Sequence, residues 1–96
     1  MANSVPGSEV LHVPEARRFE LRIGGAVAVA EYERGEGALV CTHTFVPPEL
    51  RGRGIAERLV RAALEYARTE GMRVVPACSY VAAFIERHPE LVTPSA

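Results

Sequence analysis

Six residues, Arg51-Gly52-Arg53-Gly54-Ile55-Ala56, have the types and spacing to grip an anion. They follow an extended apolar segment that stops at Pro47-Pro48, and they open an amphipathic helical run. A helix start leaves backbone N–H groups unpaired, the glycines let the backbone approach a ligand closely, and two guanidinium groups stand alongside. Such a place holds a phosphate or diphosphate. Well-formed charge-assisted bonds from Arg51 and Arg53 contribute roughly 1.5–3 kcal/mol each. A Walker-type loop needs a lysine, and the chain has none. A dinucleotide fingerprint needs a third glycine where Glu57 stands. Arg-x-x-Gly-x-Ala is the match that remains, set against the plainer reading of a solvated turn with surface arginines.

A second kind of chemistry centres on Cys78. It follows an extended segment and immediately precedes a candidate helix start, where the positive end of the helix dipole favours a thiolate. A free thiol of pKa about 8.5 is only about 3% ionised at pH 7, and lowering it by two units makes it about three-quarters thiolate. His43, on a neighbouring strand, can hold or remove the proton, which suits acyl transfer through a covalent cysteine adduct. The alternatives are a small buried cysteine and a histidine satisfied within the sheet. Without a covalent adduct, Cys78 is only a lining residue, and His43, Glu31 or Glu49 serves as base. Cys41 lies two residues before His43, so strand alternation puts both on one face. It reads as packing, because no helix start follows it.

These groups need a scaffold. Phe19 to Ile23 alternates apolar and charged residues, the mark of a half-buried strand. Gly24-Gly25 reads as a hairpin turn, because both positions enter positive φ cheaply. Ala26 to Tyr32 returns, Arg34 to Gly37 turns again, and Ala38 to Val46 is a third strand ended by the two prolines. Ile55, Leu59, Ala63 and Tyr66 repeat at helical spacing as far as Arg68, with Glu57 and Arg61 four apart on the exposed face and Gly71 placed to cap the end. Met72 to Ala77 returns as a strand in which Pro76 removes a donor. Ser79 caps a short helix over Tyr80 to His88, which Pro89 stops. Residues 1–15 read as a flexible lead-in that includes His12, and 93–96 as a frayed tail. Residues 16–92 form one domain.

Ninety-six residues with 48% apolar and 24% charged composition describe one small globular unit. A net charge of −1 argues against a nucleic-acid partner, the third and weakest reading. Residues 1–50 carry a net charge of −3 and residues 51–96 a net +2, which gathers positive charge around the glycine loop. No run is long and apolar enough for a membrane span, and no signal-peptide pattern opens the chain, so cytoplasmic, reduced thiols are expected. Two cysteines and three scattered histidines do not make a metal site.

The chain resembles a compact one-domain family within the GNAT superfamily of N-acetyltransferases. The resemblance rests on His43-Thr44-Phe45-Val46-Pro47, Arg51 to Ala56, Val75-Pro76-Ala77-Cys78-Ser79-Tyr80, Phe84-Ile85 and His88-Pro89-Glu90, spanning Phe19 to Leu91. It implies an α/β (α+β) fold: a mostly antiparallel sheet with an N-terminal meander, a central helix after a pyrophosphate loop, a splayed strand and a short C-terminal helix. It implies acetyl-CoA as acyl donor, with the pantetheine arm lying between the diverging strands. Phe45, Val46, Ser79 and Tyr80 would join Arg51, Gly52, Arg53, Gly54, Ile55 and Ala56 at the coenzyme, and Cys78 would face it. The acceptor, an amine or another group, is not legible, and either a monomer or a weak homodimer fits. A coenzyme A-binding module without turnover, acting as sensor or partner protein, is the reading from another class.

Overall fold

The structure is a computed structural model that describes residues 3–4 as backbone and residues 9–92 in full. Residues 1, 2, 5–8 and 93–96 lie outside the described part of the chain, and with them the expected frayed tail and much of the expected lead-in. Six strands form one sheet in sequence order: β1 (Asn3–Ser4), β2 (Leu11–Val13), β3 (Arg18–Ile23), β4 (Ala26–Gly35), β5 (Ala38–Phe45) and β6 (Arg73–Pro76). Among the described residues two α-helices, α1 (Ile55–Thr69) and α2 (Ser79–Arg87), pack with the sheet.

The first five strands pair antiparallel, each with the next, and β6 joins β5 in parallel after the α1 crossover. Gly24 and Gly25, at φ 53° and 85°, make the two-residue connection that brings Ile23 opposite Ala26. A residue with a Cβ enters that region only at a cost. The second hairpin is tighter than its sequence suggests. Gly35 pairs with Ala38, so β4 runs three residues past Tyr32 and only Glu36-Gly37 form the turn.

Alternation along β3 and β4 puts Phe19, Leu21, Ala28, Ala30 and Tyr32 on one face, all buried. Helix α1 lies on that face and buries Leu59, Val60, Ala63, Leu64 and Ala67 against it. Alanines at 28 and 30 leave room for the helix backbone to approach the sheet. Burying each of the leucines stabilises the fold by roughly 1.5–3 kcal/mol. Helix α1 ends as the position of Gly71 predicts: φ is 69°, Met72 N–H donates to the Ala67 carbonyl at 2.8 Å and Gly71 N–H to Arg68 at 3.2 Å. That pair of bonds is the Schellman closure.

Two expectations need correction. The lead-in does not reach residue 15, because Val10 is fully buried and β2 pairs with β3. His12 is likewise buried, stacked on Phe19 with ring centroids 4.2 Å apart and bonded to the Tyr32 hydroxyl at 2.6 Å. An aromatic cluster of Phe19, Tyr32 and Tyr66 recruits it, so it is not in a mobile segment. The cap of α2 is also displaced by one residue. Cys78 takes the N-cap position with extended backbone, φ −96° and ψ 134°, and Ser79 is the first helical residue.

Candidate active site

Pro47 and Pro48 end β5, and Pro48–Leu50 fold into a single 3-10 turn that delivers Arg51 to the mouth of the loop. Gly52 and Gly54 then take φ of 80° and 71°. Gly54 is the N-cap of α1 and has no side chain with which to occupy the first-turn amides. Those amides therefore face outward as donors. The Arg51 Nε donates to the Val46 carbonyl at 2.9 Å, which ties the guanidinium across the loop. A cavity of about 280 Å³ opens here, lined by Val46, Leu50, Arg51, Gly52, Gly54, Ile55, Ala56, Glu57 and Tyr80.

Seven of the ten residues expected at the coenzyme meet in this cavity, and Phe45, Arg53 and Ser79 stand outside its lining. Arg53 and Ser79 are exposed. Phe45 is 44% exposed and stacks loosely on His43, with ring centroids 6.5 Å apart. Glu57 brings a carboxylate to an otherwise cationic rim, but it is held by Arg61 at 3.1 Å, four residues on.

Strand β5 has eight residues, and only the first half of it pairs with β6, from Ala38–Arg73 to Cys41–Pro76. The ladder stops at the proline, which has no N–H to offer. Beyond that point the two strands part, and Cys78 follows at the start of α2. Its sulfur lies 3.7 Å from the Thr44 hydroxyl. Partial burial pushes the Cys78 thiol up. The Val81 amide, the Thr44 hydroxyl and the amides of Tyr80 and Thr44 outweigh that and leave it below its ordinary value. Cys41 behaves in the opposite way. It is buried, and desolvation, with Cys78 nearby, pushes it up to about 11. It is a packing residue.

His43 is not at the sulfur. Glu31 pairs with His43 and Tyr32 with Cys41, so Thr42 is an extra residue in the strand. This bulge resets the alternation. Cys41 and Thr44 face the helices, opposite Tyr32 and Ala30, while His43 stands across from Glu31 on the other side of the sheet. The shared face expected for Cys41 and His43 is therefore lost, and no hydrogen bond joins His43 to Cys78 among the described residues. Glu49, the other rival base, is an exposed residue of the 3-10 turn.

Residues 18–93 match the family of GCN5-related N-acetyltransferases. The chain belongs to that family. It is similar to Protein NATD1 of Bos taurus, 37% identical over 84 residues that cover 83% of this chain and 74% of that one. Protein NATD1 of Mus musculus is 33% identical over 101 residues, covering 93% and 91%. A GCN5-like protein from Staphylococcus aureus, solved by NMR, superposes with a TM-score of 0.69 at 22% identity, covering 92% of this chain and 90% of that one. The likeness confirms the expected fold: a meander, a glycine loop, a central helix, a parting strand and a short helix.

In this acetyltransferase the motifs assign no role to two residues near the candidate site. Leu50 is buried beneath the loop and lines the cavity, but an isolated apolar residue between a glutamate and an arginine carries no signal. Thr44 is the other, and the signal that finds it is the bulge, visible only once the strands are paired. Among the described residues there is no group of three or more metal-ligating side chains, and no helix is long and apolar enough to cross a membrane.

Proposed function

We propose that this GNAT domain binds acetyl-CoA and transfers the acetyl group to an amine through acetyl-Cys78. The diphosphate sits on the first-turn amides of α1 beside Arg51, and the pantetheine arm runs along the unpaired half of β5, past Val46 and Tyr80. The observation that carries this reading is the position of the Cys78 sulfur, at the N-terminus of α2, where β5 and β6 part.

The transfer takes two displacements. The Cys78 thiolate attacks the thioester carbonyl carbon; its new S–C bond forms as the bond to the coenzyme sulfur breaks, and the leaving thiolate takes a proton from water. An acceptor amine then attacks the acetyl-cysteine. The C–N bond forms, Cys78 leaves as a thiolate, and the amine proton passes to a base. Water is the base for that second step, because His43 stands on the opposite face of the sheet from the Cys78 sulfur. Free thiol chemistry of this kind belongs in a reducing compartment, which supports a cytoplasmic site of action.

Intact-mass analysis after incubation with acetyl-CoA tests the proposal. One added acetyl group is expected, located on Cys78 by peptide mapping, absent in Cys78→Ala and discharged by an amine acceptor. Coenzyme binding with no adduct and no release of coenzyme thiol across an amine panel would reassign the chain as a binding module.

A further inference from the structure

We propose that Thr44 positions the attacking sulfur: its hydroxyl, 3.7 Å from Cys78 Sγ, turns to donate a hydrogen bond to the thiolate and fixes its direction. This deepens the acetyl-Cys78 reading and rests on it.

The geometry comes from the Thr42 bulge. Without the extra residue, strict alternation from Cys41 would aim His43 at the helix side and turn Thr44 away. With it, Thr44 shares the face of Cys41 and Ala30 and reaches across the open part of the β5–β6 gap to the N-cap of α2. In the neutral site the thiol is the donor and the Thr44 oxygen accepts. On ionisation the proton goes to water and the hydroxyl rotor reverses, so the same contact becomes charge-assisted. A threonine serves this purpose well. Its β-branching limits χ1, so the hydroxyl is held in place when the sulfur changes charge.

The other groups that act on the sulfur come from α2 and β5. Helix α2 supplies the amides of Tyr80 and Val81, and β5 supplies the Thr44 amide. The titratable neighbour is Cys41 on β5, which at about 11 stays neutral through the working range. The amides persist whatever residue occupies position 44, so the side chain's own share can be measured by substitution.

The test follows Cys78 alkylation by iodoacetamide from pH 5 to 10, read by peptide mass in the native chain and in Thr44→Val, Thr44→Ala and Thr44→Ser. Thr44→Val and Thr44→Ala are expected to move the Cys78 midpoint up by roughly one pH unit, a tenfold slower reaction at neutral pH. Thr44→Ser should return it to the native position. Midpoints unchanged in Thr44→Val and Thr44→Ala overturn the proposal. Cys41 labelling reports any variant that unfolds; should Thr44→Val do so, the contrast between Thr44→Ala and Thr44→Ser decides. Acetyl-CoA is absent from this assay, so its result is independent of adduct formation. A shifted midpoint with no adduct in the native chain leaves Thr44 in place and removes the acetyl-cysteine step, and an adduct with no shift does the reverse.

Discussion

His12 and Tyr32 meet at 2.6 Å inside an aromatic cluster, on the helix side of the sheet and away from the glycine loop. Burial lowers the His12 pKa from its ordinary 6.5, and the Arg34 guanidinium lowers it further. The folded state therefore takes up a proton later than the unfolded chain does. Stability is complete at neutral pH, declines as pH falls below about 6.5, and levels off beneath the folded value. The groups that face His12 are Phe19 from β3, Tyr32 from β4 and Tyr66 from α1, with Arg34 donating to the Tyr66 hydroxyl at 3.1 Å. Thermal melts should give a lower Tm at pH 5.5 than at pH 7.5 in the native chain, and a smaller difference in His12→Phe. Equal separations would remove His12 as the source.

At the glycine loop, where the coenzyme is proposed to bind, the two arginines should behave unequally. Arg51 is anchored to Val46 and lines the cavity, while Arg53 is exposed beyond it. Titration calorimetry with coenzyme A should show Arg51→Ala weaker by roughly tenfold or more, the loss of one charge-assisted bond, and Arg53→Ala changed far less. The reverse order would mean that the diphosphate lies outside the cavity.

The open face of the sheet gives a different kind of prediction. Glu20 is 1% exposed there, between Arg18 at 2.6 Å and Arg22 at 2.6 Å. Burial pushes the carboxyl up, but bonds from Arg22 and then Arg18 more than reverse it, leaving the value below the ordinary 4.5. The stability from this arrangement is present above 4.5 and is lost as pH falls through the lowered folded value. Both guanidinium groups are partly solvated, so screening reduces the effect. Glu20→Gln should cost about 1 kcal/mol at pH 7 by denaturant unfolding, and the difference from the native chain should shrink in acid.

The fold was legible wherever a residue type dictates the backbone. Gly24-Gly25, the Pro47-Pro48 stop, Gly54 at the helix start and Gly71 at its end each mark a conformation that few other residues adopt. The loop from Arg51 to Ala56 was legible for the same reason, its glycines and arginines being unusual together. Strand β2 was not, because Leu11-His12-Val13 is too short to show a period and what buries it is a cluster assembled from β3, β4 and α1. The bulge was hidden too. Any residue can be the extra one in a strand, and Thr42 has nothing to distinguish it from Thr44. That single slip decides which side chain reaches Cys78. The α2 cap at Cys78, one residue before Ser79, was hidden as well, because serine is the stronger statistical cap.

The parting of β5 from β6 leaves a raw margin inside the sheet. Half of β5 carries backbone donors and acceptors with no neighbouring strand on one side. Extended margins of that kind recruit other chains. In the proposed complex a pantetheine arm, with its two amides, would cover this one. If acetyl-CoA binds as proposed, it doubles as a guard against self-association, and a preparation without it should be the more prone to clump.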